Sequence, residues 1–130
     1  MTADGHNDES RPISVLVIED DVDSLDLYQV LLESLGWRVA TAGTAAAALA
    51  HVDVSQIDVI LSDLGLPDTD GFELLPALRQ RAGRRVPAVA ISGFGLDDDI
   101  RRALEAGFDV HMTKPIRLGD LREVVERLVR

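Results

Sequence analysis

The sequence contains no cysteine. This absence excludes disulfide cross-links, thiolate catalysis and zinc sites built on cysteine. The chain also has no apolar run approaching the ~20 residues that a helix needs to cross a bilayer, and its N-terminus has no basic segment followed by an apolar one. We therefore expect a cytoplasmic protein without membrane insertion.

Basic residues are scarce as well. Lys and Arg number 13 against 23 Asp and Glu, which gives a formal net charge of −10. Binding a nucleic acid backbone requires a surface rich in Lys and Arg, so we expect no direct contact with nucleic acid. Protein partners fit this charge better. The excess of acids also raises the question of whether some carboxylates converge on a cation.

Apolar residues are plentiful, at 46% of the 130 residues. Domains cluster near ~100 to 150 residues, so this content and length predict one domain with enough apolar side chains to bury a core. Residues 1–12 hold almost no large apolar side chain. We expect a flexible N-terminal tail over 1–12 and a folded domain over 13–130.

Short runs rich in Val and Ile alternate with stretches of helical period, which is typical of repeated βα units. The expected strands are 14–18, 37–41, 57–61, 87–91 and 110–113, and the expected helices are 22–35, 45–52, 70–81, 97–106 and 118–129. Right-handed crossovers then predict an α/β three-layer sandwich, a flavodoxin-like (βα)5 fold with a parallel sheet in the order 2-1-3-4-5. In that order, ligands bind at the carboxyl ends of strands one and three.

Acidic residues follow these two strands: Glu19, Asp20 and Asp21 follow the first, and Asp63 follows the third. At ~5 Å and an effective dielectric near 20, each pair of carboxylates repels by roughly 3 kcal/mol, so a cation must relieve the cluster. Carboxylates are the hard oxygen ligands that suit Mg²⁺. The pattern predicts a magnesium site here, with Asp21 more typical of a helix cap than of a ligand.

A hydroxyl and an ammonium complete the same edge, because Ser92 follows strand four and Lys114 follows strand five. A carboxylate beside a metal can act as a nucleophile toward phosphorus and form an acyl phosphate. Phosphoryl transfer needs mainly positioning and charge neutralisation, which these groups supply. Asp63 is the predicted nucleophile because it follows the central strand, within reach of the metal, the hydroxyl and the ammonium.

Four segments, VLVIEDD, LSDLGLPDTDGFEL, AISGFG and GFDVHMTKP, resemble in their order and spacing a response-regulator receiver domain of two-component signalling. The resemblance covers residues 13–130. It implies that Glu19, Asp20 and Asp63 bind Mg²⁺, and that Gly65 contributes its backbone carbonyl.

The resemblance also implies that Asp63 accepts a phosphoryl group from a sensor histidine kinase or a histidine phosphotransfer protein. Ser92 would move toward that group, Lys114 would contact it, and the Lys114–Pro115 peptide bond would be cis. Such a domain catalyses its own phosphorylation and dephosphorylation without being a conventional turnover enzyme. Its output would pass to a downstream protein that the sequence does not identify.

Two positions depart from common variants of the family. Gly65 has no side chain where many relatives carry one that shields or orients the attacking water. His111 stands where relatives commonly carry Tyr or Phe as a switch. We expect a packing or surface role for His111 rather than a catalytic one, with a ring that responds to phosphorylation and to pH.

Rival functions fit the same residues less well. A flavin binder would place a phosphate against Glu19 and Asp20, which would repel it. A phosphatase of the haloacid dehalogenase type would need a second Asp where Gly65 stands. A degenerate receiver that only binds proteins is disfavoured by the intact acid, serine and lysine set. A phosphorelay intermediate and the receiver fragment of a hybrid kinase remain as alternative roles.

Overall fold

The computed structural model describes residues 11–51, 53–66, 71–93 and 97–130. The strands are β1 (Ser14–Ile18), β2 (Arg38–Ala42), β3 (Val59–Asp63), β4 (Ala88–Ser92) and β5 (Val110–Thr113). The helices are α1 (Val22–Glu33), α2 (Ala45–His51), α3 (Gly71–Ala82), α4 (Asp97–Glu105) and α5 (Leu118–Val129), with a short 3-10 turn at Val54–Gln56. All strand pairs are parallel, in the order β2-β1-β3-β4-β5, which confirms the predicted flavodoxin-like fold.

Alternation along the strands divides the core into two apolar clusters, one on each face of the sheet. In β1, Leu16 and Ile18 join the cluster that includes residues of α2, α3 and α4. Val15 and Val17 join the cluster that includes residues of α1 and α5. The sheet therefore lies between two layers of helices, and its strand ends remain available for chemistry.

The third strand begins later than the sequence pattern predicts. Ile57 ends the 3-10 turn at Val54–Gln56, and the Asp58 carboxylate accepts a hydrogen bond from the backbone N–H of Ser14 (2.8 Å). These contacts take Ile57 and Asp58 out of the strand, so β3 runs from Val59 to Asp63. Asp63 is consequently the last residue of β3 itself rather than the second residue after it.

Residues 1–10 of the predicted flexible tail lie outside the described residues, as does residue 70 at the predicted start of the third helix. The division of the chain at residue 13 therefore stays a prediction. Arg11 donates a hydrogen bond to the Asp58 carboxylate (3.0 Å). Across the described ranges, none of the helices combines the length and apolar character that crossing a bilayer requires.

The carboxylate of Asp109 joins the amino-terminal ends of β4 and β5. It accepts hydrogen bonds from the backbone N–H of Ala88 (2.9 Å), from Arg85 (2.8 Å) and from Arg79 (3.3 Å). The Arg79 guanidinium, whose side chain is 15% exposed, also donates to the carbonyls of Val86 and Gly107. This network fixes how β5 lies against β4.

We expect Asp109→Ala to lower the free energy of unfolding by about 2 to 3 kcal/mol, because a partly buried guanidinium and a strand N–H both lose their acceptor. Chemical denaturation measures this change. The matched control is Glu123→Ala, which removes a partner of Arg127 from an exposed ion pair on α5 and should cost less than about 0.5 kcal/mol. Equal losses in the two variants would contradict the structural role of Asp109.

Candidate functional site

Three carboxylates meet at the carboxyl ends of β1 and β3. Ile18 lies beside Ser62 in the parallel register, so Glu19 and Asp63 follow at neighbouring positions. Oxygen atoms of Glu19, Asp20 and Asp63 all lie within 4.8 Å of one another. Glu19 is only 2% exposed, whereas Asp20 is exposed. The fold thus brings together the three acids that the sequence selects as metal ligands.

The ammonium of Lys114 lies among these acids. Its Nζ donates a hydrogen bond to Glu19 Oε1 (2.9 Å) and lies 3.8 Å from Asp63 Oδ2. Burial acts to lower the pKa of Lys114, but the hydrogen bond to Glu19 and the charges of Asp63 and Glu19 outweigh it and raise that pKa above its ordinary value. Lys114 is therefore held as a cation. Its peptide bond to Pro115 is cis, as the resemblance implies.

A cavity of about 350 Å³ opens beside Asp63. It is lined by Asp63, Leu64, Gly65, Ser92, Gly93, Asp99 and Lys114. The backbone N–H of Gly65 donates to Asp63 Oδ1 (3.2 Å), which holds that oxygen toward the loop after β3. A small anionic group bonded to Asp63 would therefore meet a hydroxyl and an ammonium within one cavity.

Ser92, at the end of β4, is 7% exposed and has a direct side-chain partner on the next strand. Its Oγ lies 2.8 Å from Nε2 of His111. Burial lowers the pKa of the His111 imidazole below its ordinary value, and the charge of Asp99 opposes that shift. The sequence-based expectation of a packing or surface role for His111 missed this hydrogen bond.

Two acids near the site differ in what they do. Asp21 caps α1, since its carboxylate accepts hydrogen bonds from the N–H and the hydroxyl of Ser24, and these hydrogen bonds lower the pKa of Asp21. The predicted capping role is thus observed. Asp99 lies in the first turn of α4, and it also lines the cavity. The sequence could have indicated this position in the cavity, because Asp99 lies in the first turn of a helix that starts at the same edge of the sheet.

The donor set fits a divalent cation. Carboxylate oxygens from two adjacent strands converge within one ligand sphere, and one of these carboxylates is nearly fully buried. Hard oxygen ligands of this kind suit Mg²⁺, which usually keeps several waters and so needs only a partial set from the protein.

Residues 15–126 match the family model described as the response regulator receiver domain. The chain belongs to this family. Receiver domains bind Mg²⁺ in an acidic site, and the Glu19, Asp20 and Asp63 cluster of this chain is such an acidic site. The family predicted from the sequence motifs is thus confirmed.

Two relatives of this receiver domain are larger signalling proteins. The transcriptional regulatory protein KdpE of Staphylococcus aureus is 37% identical over 119 residues, 89% of this chain and 51% of that protein. The sensor histidine kinase RcsC of Salmonella typhi is 32% identical over 124 residues, 95% of this chain and 13% of that protein. The chain thus spans between 13% and 51% of these two curated relatives.

A solved structure of a receiver domain has the same fold as this chain. The receiver domain of the sensor histidine kinase PA1611 of Pseudomonas aeruginosa is 28% identical with a TM-score of 0.80, over 92% of this chain and 98% of that one. In that protein a magnesium ion is coordinated in the active site cleft. This chain is therefore similar to parts of a transcriptional regulatory protein and of sensor histidine kinases.

Proposed function

We propose that this receiver domain accepts a phosphoryl group on Asp63 from the phosphohistidine of a sensor histidine kinase or of a histidine phosphotransfer protein. The phosphorylated form then signals through a downstream protein. The observation that carries the proposal is the convergence of three carboxylates and the Lys114 ammonium at Asp63, in a chain of this family. Asp63 is the acceptor because it faces both the acid cluster and the cavity.

The transfer is a single displacement at phosphorus. A carboxylate oxygen of Asp63 forms the new bond to phosphorus while the bond from phosphorus to the imidazole of the donor breaks, and the electron pair of that bond stays on the imidazole. The ammonium of Lys114, 3.8 Å from Asp63 Oδ2, neutralises phosphoryl oxygens as charge builds on them. The Ser92 hydroxyl donates to another phosphoryl oxygen across the cavity.

Glu19, Asp20 and Asp63 would hold Mg²⁺, and the carbonyl of Gly65 would be a further ligand. When bound, Mg²⁺ supplies the positive charge that lets an anionic phosphodonor approach an anionic carboxylate. The Glu19 carboxylate has a second role, since it holds Lys114 in place through the 2.9 Å hydrogen bond. Cytoplasmic location stays a prediction from the sequence.

The direct test is intact-mass measurement after incubation with Mg²⁺ and acetyl phosphate, followed by mapping of the modified residue. A single phosphoryl group on Asp63 supports the proposal. A phosphoryl group on a different residue, or no gain in mass, contradicts it.

A phosphorelay intermediate or the receiver of a hybrid kinase is the second candidate role, and the similarity to sensor histidine kinases such as RcsC favours it. An intermediate returns its phosphoryl group to a histidine rather than keeping it to act on a target. A histidine phosphotransfer protein should then shorten the lifetime of the phosphorylated domain strongly. An unchanged lifetime would favour direct switching of a partner.

Gly65 should make the phosphorylated form short-lived, because it leaves one side of the Asp63 carboxylate uncovered. A Cβ added at Gly65 would lie 4.0 Å from Asp63 Oδ1, an ordinary contact distance, so the position accepts a Cβ without a clash. We expect Gly65→Leu to slow phosphoryl loss severalfold by excluding water. The decay of the phosphorylated mass measures this, with Gly119→Ala on α5 as the control. Equal decay in all three proteins would show that water reaches the site by another route.

A further inference from the structure

Asp99 differs from the two acids that precede it in α4. Asp97 and Asp98 are exposed, whereas Asp99 is half-buried and lines the cavity beside Asp63. Arg101 forms an ion pair with Asp98 (2.6 Å). Within the described ranges, Asp99 takes part in no ion pair. Its carboxylate is therefore available to a group that enters the cavity.

The charge of Asp99 is felt on the side of the cavity that Ser92 forms. It opposes the lowering of the His111 pKa by burial, and Nε2 of that ring lies 2.8 Å from Ser92 Oγ. Asp99 belongs to the first turn of α4, whereas Asp63 is the last residue of β3. Two carboxylates thus reach one cavity from different elements of the fold.

The cavity has room for a phosphoryl group and for water beside it. Its volume is about 350 Å³, and a water molecule takes about 30 Å³ in the liquid. Gly65 and Gly93 line it without a side chain, and a Cβ added at Gly93 would meet no other described residue within 4 Å. Water can therefore lie next to a phosphoryl group on Asp63.

A water molecule that attacks this phosphoryl group needs a hydrogen-bond acceptor. It becomes more acidic as its oxygen bonds to phosphorus, and a group that accepts one of its hydrogens aims the oxygen lone pair at the phosphorus. Lys114 can only donate, and the Leu64 side chain can neither donate nor accept. Asp63 is the leaving group. Among the other described side chains of the lining, Asp99 is the one that, as a carboxylate, only accepts.

We propose that Asp99 is a catalytic residue for removal of the phosphoryl group, because its carboxylate accepts a hydrogen bond from the attacking water. This inference rests on the proposed function, in which Asp63 carries that group. The water oxygen forms a bond to phosphorus while the bond from phosphorus to the Asp63 oxygen breaks, and the electron pair of that bond stays on the Asp63 carboxylate. The water oxygen keeps one hydrogen and the other passes to a phosphate oxygen, so dihydrogen phosphate leaves.

The experiment follows the decay of the phosphorylated mass in Mg²⁺ after acetyl phosphate has been removed. We expect Asp99→Ala to lose the phosphoryl group about tenfold more slowly than wild type, the low end for one hydrogen bond to a charged group. Asp99→Asn keeps an acceptor oxygen without the charge, so its decay should stay within about threefold of wild type. The matched control Asp98→Ala removes the same charge from an exposed position and should decay at the wild-type rate.

The gain of the phosphoryl group is the internal comparison. The nucleophile in that step is the Asp63 carboxylate and not water, so acetyl phosphate should label Asp99→Ala at about the wild-type initial rate. Labelling that slows as much as the decay would mean that the substitution disturbs the whole cavity, and it would overturn the proposal. Decay of Asp99→Ala at the wild-type rate, or equal slowing in Asp99→Ala and Asp99→Asn, would also overturn it.

Decay of wild type in ¹⁸O-labelled water is a second measurement, and it needs no substitution. Attack at phosphorus places the label in the released phosphate, which is the expected result. Attack at the acyl carbon would place the label in the Asp63 carboxylate. Label in Asp63 would overturn the proposal, because the water would then not attack the phosphorus.

Failure of the proposed function would look different. If wild type gains no phosphoryl group, phosphoryl acceptance by Asp63 is wrong, and the role of Asp99 falls with it. If Asp63 is labelled and all four proteins decay alike, the proposed function stands and only the role of Asp99 is wrong.

Discussion

Treated with Mg²⁺ and acetyl phosphate, wild type gains one phosphoryl group that is stable in acid and labile in base, and Asp63→Asn gains none. The reason is chemical: an amide nitrogen or oxygen at this position cannot replace the carboxylate oxygen that forms the acyl phosphate. Acetate leaves with the electrons of its bond to phosphorus. Removing the metal with a chelator should abolish labelling as well, since three carboxylates would then meet the anionic donor without a compensating divalent charge.

Lys114→Met separates the role of the ammonium from that of the nucleophile. Methionine keeps most of the apolar length of lysine but cannot donate, so we expect labelling of Asp63 to continue about a hundredfold more slowly, the usual cost of one transition-state donor. Asp120→Asn changes an exposed acid on α5 and should label at the wild-type rate. Undiminished labelling of Asp63→Asn would refute Asp63 as the acceptor, whereas undiminished labelling of Lys114→Met would refute only the role of Lys114.

The elements predicted most accurately are those with distinct hydrophobic patterns and clear limits. The expected bounds of β1, β5 and α5 agree with the structure, because each apolar pattern ends at polar or turn-forming residues. The hydrophobic pattern predicted the start of β3 wrongly, because it placed Ile57 and Asp58 in the strand. Their place in the structure depends on the 3-10 turn and on the hydrogen bond from Ser14, a residue far away in the chain.

The acid cluster could be predicted from the sequence because it needs only the strand order and the residues that end each strand. The Glu19 to Lys114 ion pair could not, since it joins residues 95 apart and requires the lysine to select one carboxylate among several. The Ser92 to His111 hydrogen bond depends on the register of β4 against β5. Parallel register is set by packing of the whole sheet, which a single sequence pattern does not specify.

The ion pair also changes the expected energetics of the site without metal. Sequence reasoning assigned mutual repulsion to Glu19, Asp20 and Asp63, but Lys114 lies 2.9 Å from one of these acids and 3.8 Å from another. One cation therefore offsets part of the repulsion between the two more buried acids. Asp20, the exposed member, has no such cationic partner among the described residues and contributes repulsion that solvent partly screens.

Mg²⁺ should consequently raise the melting temperature of wild type by roughly 10 °C at a hundred times its dissociation constant, which corresponds to about 2.7 kcal/mol of binding linkage. Asp20→Asn should lose most of that increase, because one ligand and one negative charge are gone. Without metal the same variant should melt slightly above wild type, since a repulsive charge has been removed. Thermal melts in Mg²⁺ and in sodium chloride of equal ionic strength measure both effects, with Asp120→Asn expected to match wild type. A lower metal-free melting temperature together with an intact Mg²⁺ response would show that Glu19, Asp20 and Asp63 do not form one site.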